Sequence, residues 1–259
     1  MPLLAFDTST DVMSIAVGHT EGGVARVWQH TAAGGAQASS TLIPAILDLM
    51  AQAGMGFGGL DAIAFGCGPG AFTGLRAACS VAQGLAFGAR MPAGRAALQL
   101  LPVDTLLAVA EEARCQHAPS GRPLQVLALL DARMDQVYAA AYAFDGLRWS
   151  QSQGYRLAPP EALQLPPGWL EADMLLAGNA FAVYGTRLDF LAPNALRCNA
   201  LPTAAAMLRL APGLLERGLA VAPQNALPTY IRDKVAQTTS ERAAARAAPS
   251  PPPGPVTVT

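Results

Sequence analysis

Two aspartates stand where a carboxylate could hold a metal-bound phosphate. Asp7 closes the apolar run Leu3 to Phe6 and Asp131 closes Val126 to Leu130, and each opens a polar turn. The stretch Gly66-Cys67-Gly68-Pro69-Gly70-Ala71-Phe72-Thr73-Gly74-Leu75-Arg76 is the other candidate for phosphate chemistry. It joins a short apolar run, Ala62 to Phe65, to a small-residue segment, Leu75 to Phe87, that reads as a helix. Glycines open backbone conformations closed to other residues, and Thr73 is placed to cap the helix. Amides at such a junction suit a phosphate, and close packing suits it equally. The residues that would touch a nucleotide are therefore Asp7, Thr8, Ser9, Gly68, Gly70 and Thr73.

Known fingerprints narrow this. The P-loop needs a lysine after its glycines, and residues 66–90 contain none. Gly66-x-Gly68-x-x-Ala71 meets the loose dinucleotide pattern. The acidic residue required about 20 positions later is missing, because Leu75 to Val103 holds no Asp or Glu. A structural turn that brings helix and sheet together is the better reading. The histidines His19, His30 and His117 form no His-x-x-x-His or His-Glu-x-x-His motif and lie beside no reactive Ser or Cys, so surface or connector roles fit them. Cys67, Cys79, Cys115 and Cys198 lack Cys-x-x-Cys spacing, which argues against zinc or a disulfide framework and suits a reducing cytosol.

The 259-residue chain has a formal charge of −1 and carries no global basic footprint for nucleic acid. Only 14% of residues are charged and 52% are hydrophobic, against about 25% charged in typical soluble domains. Much of the surface must be uncharged, which points to a partner covering part of it. No signal peptide and no run long enough to span a bilayer is visible, so the expected location is the cytoplasm.

The elements that position these residues follow from periodicity. Leu3 to Phe6, Met13 to Val17 and Val24 to Trp28 read as an antiparallel meander, with a turn at Glu21-Gly22-Gly23. A helix spans about Ser40 to Ala53, with Pro44 in its first turn and Gly54 as its stop. Leu42, Ile46, Leu49 and Ala53 line one face, and Ile43, Leu47 and Met50 form a second stripe. Such a helix needs cover on two sides. In the next helix Ala78, Ala82 and Ala86 recur at i+4 beside Gly74, Ser80 and Gly84, so a neighbour can approach closely, within the monomer or across an interface.

Gln99 to Val103 reads as a strand, and Asp104 caps a helix running through Cys115 to a turn at Pro119-Ser120-Gly121. Val126 to Leu130, the turn Asp131 to Asp135 and the strand Val137 to Phe144 then repeat the opening, and Asp173 to Ala180 loosely echoes Asp61 to Gly66. A last helix is expected in two pieces, Thr203 to Leu210 and Gly213 to Arg217, split by Pro212. Pro228 to Val235 reads as extended. These features predict a duplicated α/β fold: residues 1–118, residues 119–235, and a tail over 236–259 whose Pro-rich, apolar-poor composition predicts disorder.

Asp7-Thr8-Ser9, Ala64 to Arg76, Ala82-Gln83-Gly84-Leu85-Ala86-Phe87-Gly88, Leu130-Asp131-Ala132-Arg133 and Tyr230-Ile231-Arg232 together resemble the bacterial TsaB (YeaZ) family, in order over residues 1 to about 235. The resemblance implies two ribonuclease-H-like halves in the actin-like ATPase (ASKHA) architecture. It also implies a part in making threonylcarbamoyladenosine on tRNA. There the transfer is catalysed by a paralogue, TsaD; the TsaB-type chain is its non-catalytic dimerisation partner, and a small ATPase, TsaE, joins them. No catalytic residue, metal or cofactor is then expected on this chain, since ATP and metal belong to the partners, and tRNA is met only through the complex. The implied partner interface comprises Leu42, Ile43, Ile46, Leu47 and Met50 of one helix with Arg76, Cys79, Ala82, Gln83 and Ala86 of the next. Pairing with a second copy when isolated stays open.

Two departures stand out. Ala38-Ser39 replaces the His-Ser or His-Ala that precedes Leu-Leu-Pro in the family, and residues 91–98 look like a small insertion. The alternative is a free-standing ATP-using enzyme of the actin-like class, with Asp7 and Asp131 on a metal-bound phosphate. Against it, Ser9 occupies the glycine position of the usual Asp-x-Gly phosphate turn. A peptidase, the third reading, rests on older naming of relatives and lacks ligands.

Overall fold

The computed structural model describes residues 1–21, 24–117, 121–169 and 174–232. The turn at Gly22-Gly23, most of that at Pro119-Ser120, Asp173 and the tail over 236–259 lie outside the described residues. Two five-stranded mixed sheets organise the chain. The first contains β1 (Leu3–Asp7), β2 (Val12–Glu21), β3 (Val24–Ala33), β4 (Ala62–Gly68) and β5 (Gln99–Asp104), ordered β3-β2-β1-β4-β5. The second contains β6 (Leu124–Asp131), β7 (Val137–Phe144), β8 (Trp149–Ala158), β9 (Met174–Ala177) and β10 (Leu196–Cys198), ordered β8-β7-β6-β9-β10. The same plan has been laid down twice. In each, the first strand pairs antiparallel with the second and parallel with the fourth: Leu4 faces Val17 and Ile63, and Val126 faces Tyr142 and Leu175. The fold class is thus α/β with two mixed sheets.

Alternation along each strand sorts residues by size. In β1, Leu4 and Phe6 join a core with Ile15, Ile63 and Phe65 under α1 (Ala38–Gln52) and α2 (Phe72–Gly88). Leu3 and Ala5 face the opposite way, into a core that also holds Ala16, Ala64, Ala128 and Ala140. Two helices fill the space between the sheets, α3 (Thr105–His117) and α5 (Ala204–Glu216). Alanines on both sides let helix and strand axes come close. The helices cross over: α3, from the first half, packs chiefly on β6, β7 and β9, and α5, from the second, packs on β1, β2, β4 and β5. One core therefore binds both sheets. A third cluster, with Leu127, Leu129 and Leu176, lies under the short α4 (Ala180–Tyr184) and the segment carrying Leu188 and Leu191.

Several local expectations need correction. Strands β8 and β10 were not legible; β8 is a largely exposed polar strand, and β10 has three residues. Pro212 does not split the last helix, because it sits on the exposed side of α5. Pro44 lies in the second turn of α1, since the helix starts at Ala38, where Gln37 accepts from the hydroxyls of Ser40 and Thr41. The caps at Asp104 and Thr203 form as expected, with Leu106 N at 2.9 Å and Ala206 N at 3.1 Å from their side chains.

Candidate functional site

The two aspartates end equivalent strands and fold the chain in the same way. Ser9 N donates to Asp7 Oδ1, and Arg133 N donates to Asp131 Oδ1, each at 2.9 Å. Here the resemblance between the two ends stops. Asp7 is fully buried; Oδ1 also accepts from Ser9 Oγ at 2.7 Å, while Oδ2 has no partner. Burial pushes its carboxyl up to about 7, against the opposing pull of the Ser9 bonds. Asp131 is held by its own neighbours: Tyr184 Oη lies 2.8 Å from Oδ1, and Arg133 reaches Oδ2 at 3.5 Å. Arg133 also pairs with Asp11, so one guanidinium ties the two turns together.

The space left between the turns, bounded by Ser9, Gly70, Asp131 and Asn179, is about 60 Å³. Pockets for small organic ligands start at roughly 300 Å³. Among the described residues no group of three or more His, Cys, Asp or Glu side chains could hold a metal.

The glycine-rich stretch explains why Asp7 is sealed. A Cβ on Gly66 would stand 1.8 Å from Asp7 Oδ2, one on Gly70 2.5 Å from Ser9 Cβ, and one on Gly74 1.8 Å from the Thr8 carbonyl oxygen. Only glycine admits the Asp7 turn at these three places. Gly68, at φ +123°, lies against Thr229, whose amide donates to the Cys67 carbonyl at 2.6 Å. The stretch is more regular than its glycines suggest: β4 continues to Gly68, and α2 begins at Phe72. Two of its amides have partners, Ala71 N on Ser9 O and Leu75 N on Ala71 O, both within 2.9 Å. Thr73 does not cap α2; Ala71 holds that position without a side-chain bond, and Thr73 lies exposed in the first turn. Thr8 is buried, with its hydroxyl on the Gly74 carbonyl at 2.7 Å.

The segment ending in Tyr230-Ile231-Arg232 straps both regions. Tyr230 packs on Phe72 with ring centroids 5.0 Å apart and the rings tilted by 36°, and Arg76 Nε donates to its hydroxyl at 3.1 Å. Arg232 donates to Ala132 O and Gln136 Oε1, bracing a turn in which Arg133, Met134 and Asp135 all have φ between 54° and 59°. Such φ values are uncommon without glycine and persist when surrounding contacts hold them.

The two outer helices divide their apolar residues. Leu42, Ile46, Met50, Cys79, Ala82 and Ala86 lie in the monomer's own core, against the first sheet. These six are corrected from interface to core, since a helix whose apolar arc is wide must give one stripe to its sheet. Gln83 is half-buried, and its amide donates to the carbonyls of Pro223 and Ala226. Ile43 is 43% exposed and Leu47 49%, and Arg76 is exposed as well. Residues absent from the expected set complete this outward face: Ala51 on α1, and Ser80, Gly84, Phe87 and Gly88 on α2. The signal was present, because Ile43, Leu47 and Ala51 recur at i+4, as do Arg76, Ser80, Gly84 and Gly88. Helices α1 and α2 together hold 15 and 17 residues and just two charged side chains, Asp48 and Arg76. Among the described residues no helix is long and apolar enough to cross a membrane.

Comparison with known proteins agrees with this architecture. Residues 29–240 match the family described as TsaD: tRNA N6-adenosine threonylcarbamoyltransferase. The chain is 30% identical over 240 residues to the tRNA threonylcarbamoyladenosine biosynthesis protein TsaB of Escherichia coli (strain K12), covering 91% of this chain and 96% of that protein. The protein of the same name from Haemophilus influenzae is also 30% identical, over 91% of this chain and 95% of its own length. Among solved structures, YeaZ from Pseudomonas aeruginosa superposes with a TM-score of 0.73 at 34% identity, covering 89% of this chain and 99% of that one. With its doubled strand plan and its glycines fitted around the Asp7 turn, the chain belongs to the TsaB (YeaZ) family, within the reach of the broader TsaD family description.

Proposed function

We propose that this chain is a non-catalytic scaffold subunit in the making of threonylcarbamoyladenosine on tRNA, built from two ribonuclease-H-like halves and working in the cytoplasm. It docks a TsaD-type catalytic paralogue through α1 and α2 and activates it; a TsaE-type ATPase joins the assembly, and tRNA is met through the partners. The observation that carries this reading is the charge-poor outer face of α1 and α2, where Ile43, Leu47 and Phe87 are exposed beside Ser80 and Gly84 and the charged side chains are Asp48 and Arg76. Apolar side chains next to small ones suit helix-on-helix docking. The small space between the Asp7 and Asp131 turns supports assigning ATP and metal to the partners.

The test is reconstitution with a TsaD-type protein, followed by size-exclusion chromatography and a tRNA transfer assay. Ile43→Asp with Leu47→Asp should abolish co-elution and stimulated transfer while leaving the melting temperature of the lone chain within a few degrees, since surface changes cost about 0.5 kcal/mol or less. Ile46→Asp and Ala82→Arg are unsuitable probes, because both positions are fully buried and a charge there would unfold the monomer. Co-elution that survives the double variant, or ATP turnover or transfer by the lone chain, would refute the proposal.

A further inference from the structure

We infer that the cavity between α3, α5 and the β7–β8 hairpin binds a molecule with a phosphomonoester at one end and a planar ring at the other, the chemistry of a nucleoside monophosphate. Its volume is about 520 Å³, several times that of the space between the aspartate turns. That size, with an apolar lining and a few convergent polar groups, is typical of a small-ligand site.

One buried carboxylate builds the wall. Glu111, 3% exposed, accepts from Arg114 Nε and Nη2 at 2.8 Å, from Arg209 Nε at 2.9 Å and from Trp149 Nε1 at 3.0 Å. These bonds saturate its oxygens and fix two guanidiniums and an indole on the lining. Arg114 lies over the Phe144 ring at 4.9 Å, and that ring sits 5.1 Å from Trp149, so the aromatic pair is braced from both sides. An aromatic pair and the apolar side chains of Leu210 and Leu214 on one lining favour a flat apolar ring.

The charge balance points to an anion. Four arginines line the cavity against one carboxylate. Arg114 is committed to Glu111, and Arg209 is shared between Glu111 and Glu112, which stands just outside the lining. Arg148 and Arg217 are exposed and form no salt bridge among the described residues. Asp145, close to Arg148 in the hairpin turn, has its Oδ1 taken by the amides of Leu147 and Arg148. Two guanidiniums with no salt bridge among the described residues, one of them beside the Asp145 charge, can bind phosphate by paired charge-assisted hydrogen bonds, which a lysine could not match in geometry. This site shares no lining residue with the Asp7–Asp131 cleft and does not depend on the scaffold reading.

The test uses the full chain titrated with AMP, adenosine and inorganic phosphate by isothermal calorimetry, with melting curves for every variant. AMP should bind saturably at one site, more tightly than either of its halves. Replacing Arg148 or Arg217 by alanine should weaken AMP about tenfold each, the usual effect of losing a hydrogen bond to a charged group. Gly213→Trp is a steric block that spares the fold, because Gly213 lines the cavity and a Cβ there meets no atom within 4 Å. It should abolish binding with the melting temperature kept. Arg133→Ala, at the other cleft, should leave AMP affinity unchanged. Absence of saturable AMP binding, equal binding by Gly213→Trp, or loss confined to Arg133→Ala would overturn the inference.

Discussion

Replacing Gly74 by alanine tests the claim that the glycine-rich stretch exists to let α2 press on the Asp7 turn. The new Cβ would stand 1.8 Å from the Thr8 carbonyl oxygen, whereas ordinary contact begins at 3.4 Å, so one backbone must retreat by about 1.6 Å. Neither side yields easily. Thr8 is buried and hydrogen-bonded through its hydroxyl to the Gly74 carbonyl, and Ala71 N is bonded to Ser9 O. Overpacking of this kind costs about 1–3 kcal/mol and sometimes more, and a clash between backbones belongs at the upper end. Alanine recovers about 1 kcal/mol of helix propensity. The net loss should be about 2 kcal/mol, or roughly 4–8 °C in melting temperature for a chain of this size.

Gly84→Ala provides the control within the same helix. No atom lies within 4 Å of its added Cβ, so only the propensity gain remains and the melting temperature should rise by about 2–4 °C. The assay is thermal unfolding followed by far-ultraviolet circular dichroism. A Gly74→Ala protein melting at or above the parent, or two variants shifting in the same direction, would refute the packing argument.

Asp7→Asn should flatten a pH dependence. The folded carboxyl is held near 7 against 3.8 when free, so the native state favours the proton. That contribution is complete below about pH 4, fades as pH rises toward 7 and is lost above it. Urea midpoints should show the variant gaining on the parent between pH 4 and 7, by roughly 4 kcal/mol for a shift of about three units; a difference that stays constant with pH would rule this out. Glu111→Gln should lower stability at neutral pH by about 3 kcal/mol, since it leaves Arg114 without its buried counter-charge and Arg209 with Glu112 alone, and urea unfolding reads this directly. Burial raises the Glu111 carboxyl, but bonds from Arg114, Trp149 and Arg209 outweigh it and hold it below the usual range. Its contribution is therefore present at neutral pH and fades as acid protonates it, and the variant should lack that acid-side loss.

Much of the fold was legible because it is written in local patterns. The apolar run of β1, the doubled strand-Asp-turn-strand and the helix caps at Asp104 and Thr203 all depend on near neighbours in the chain. Strand β8 was missed because, largely exposed, it needs few apolar residues, and the three residues of β10 are too few to show a period. Thr73 was misread as a cap because the helix starts one residue before it, where Ala71 is held by Ser9 rather than by its own side chain.

The amino-acid order alone determined that Gly66, Gly70 and Gly74 mark a tight junction, and that α1 carries two apolar stripes. It could not say that the junction seals Asp7 instead of presenting it, nor that Ile46 goes to the sheet while Ile43 faces outward. Helical period fixes the angle between two faces of one segment, but the neighbour each face meets is supplied by distant chain. The same holds for α3 and α5, whose exchange between the two sheets joins residues roughly a hundred positions apart and brings Arg209 to Glu111 beside its helix neighbour Arg114.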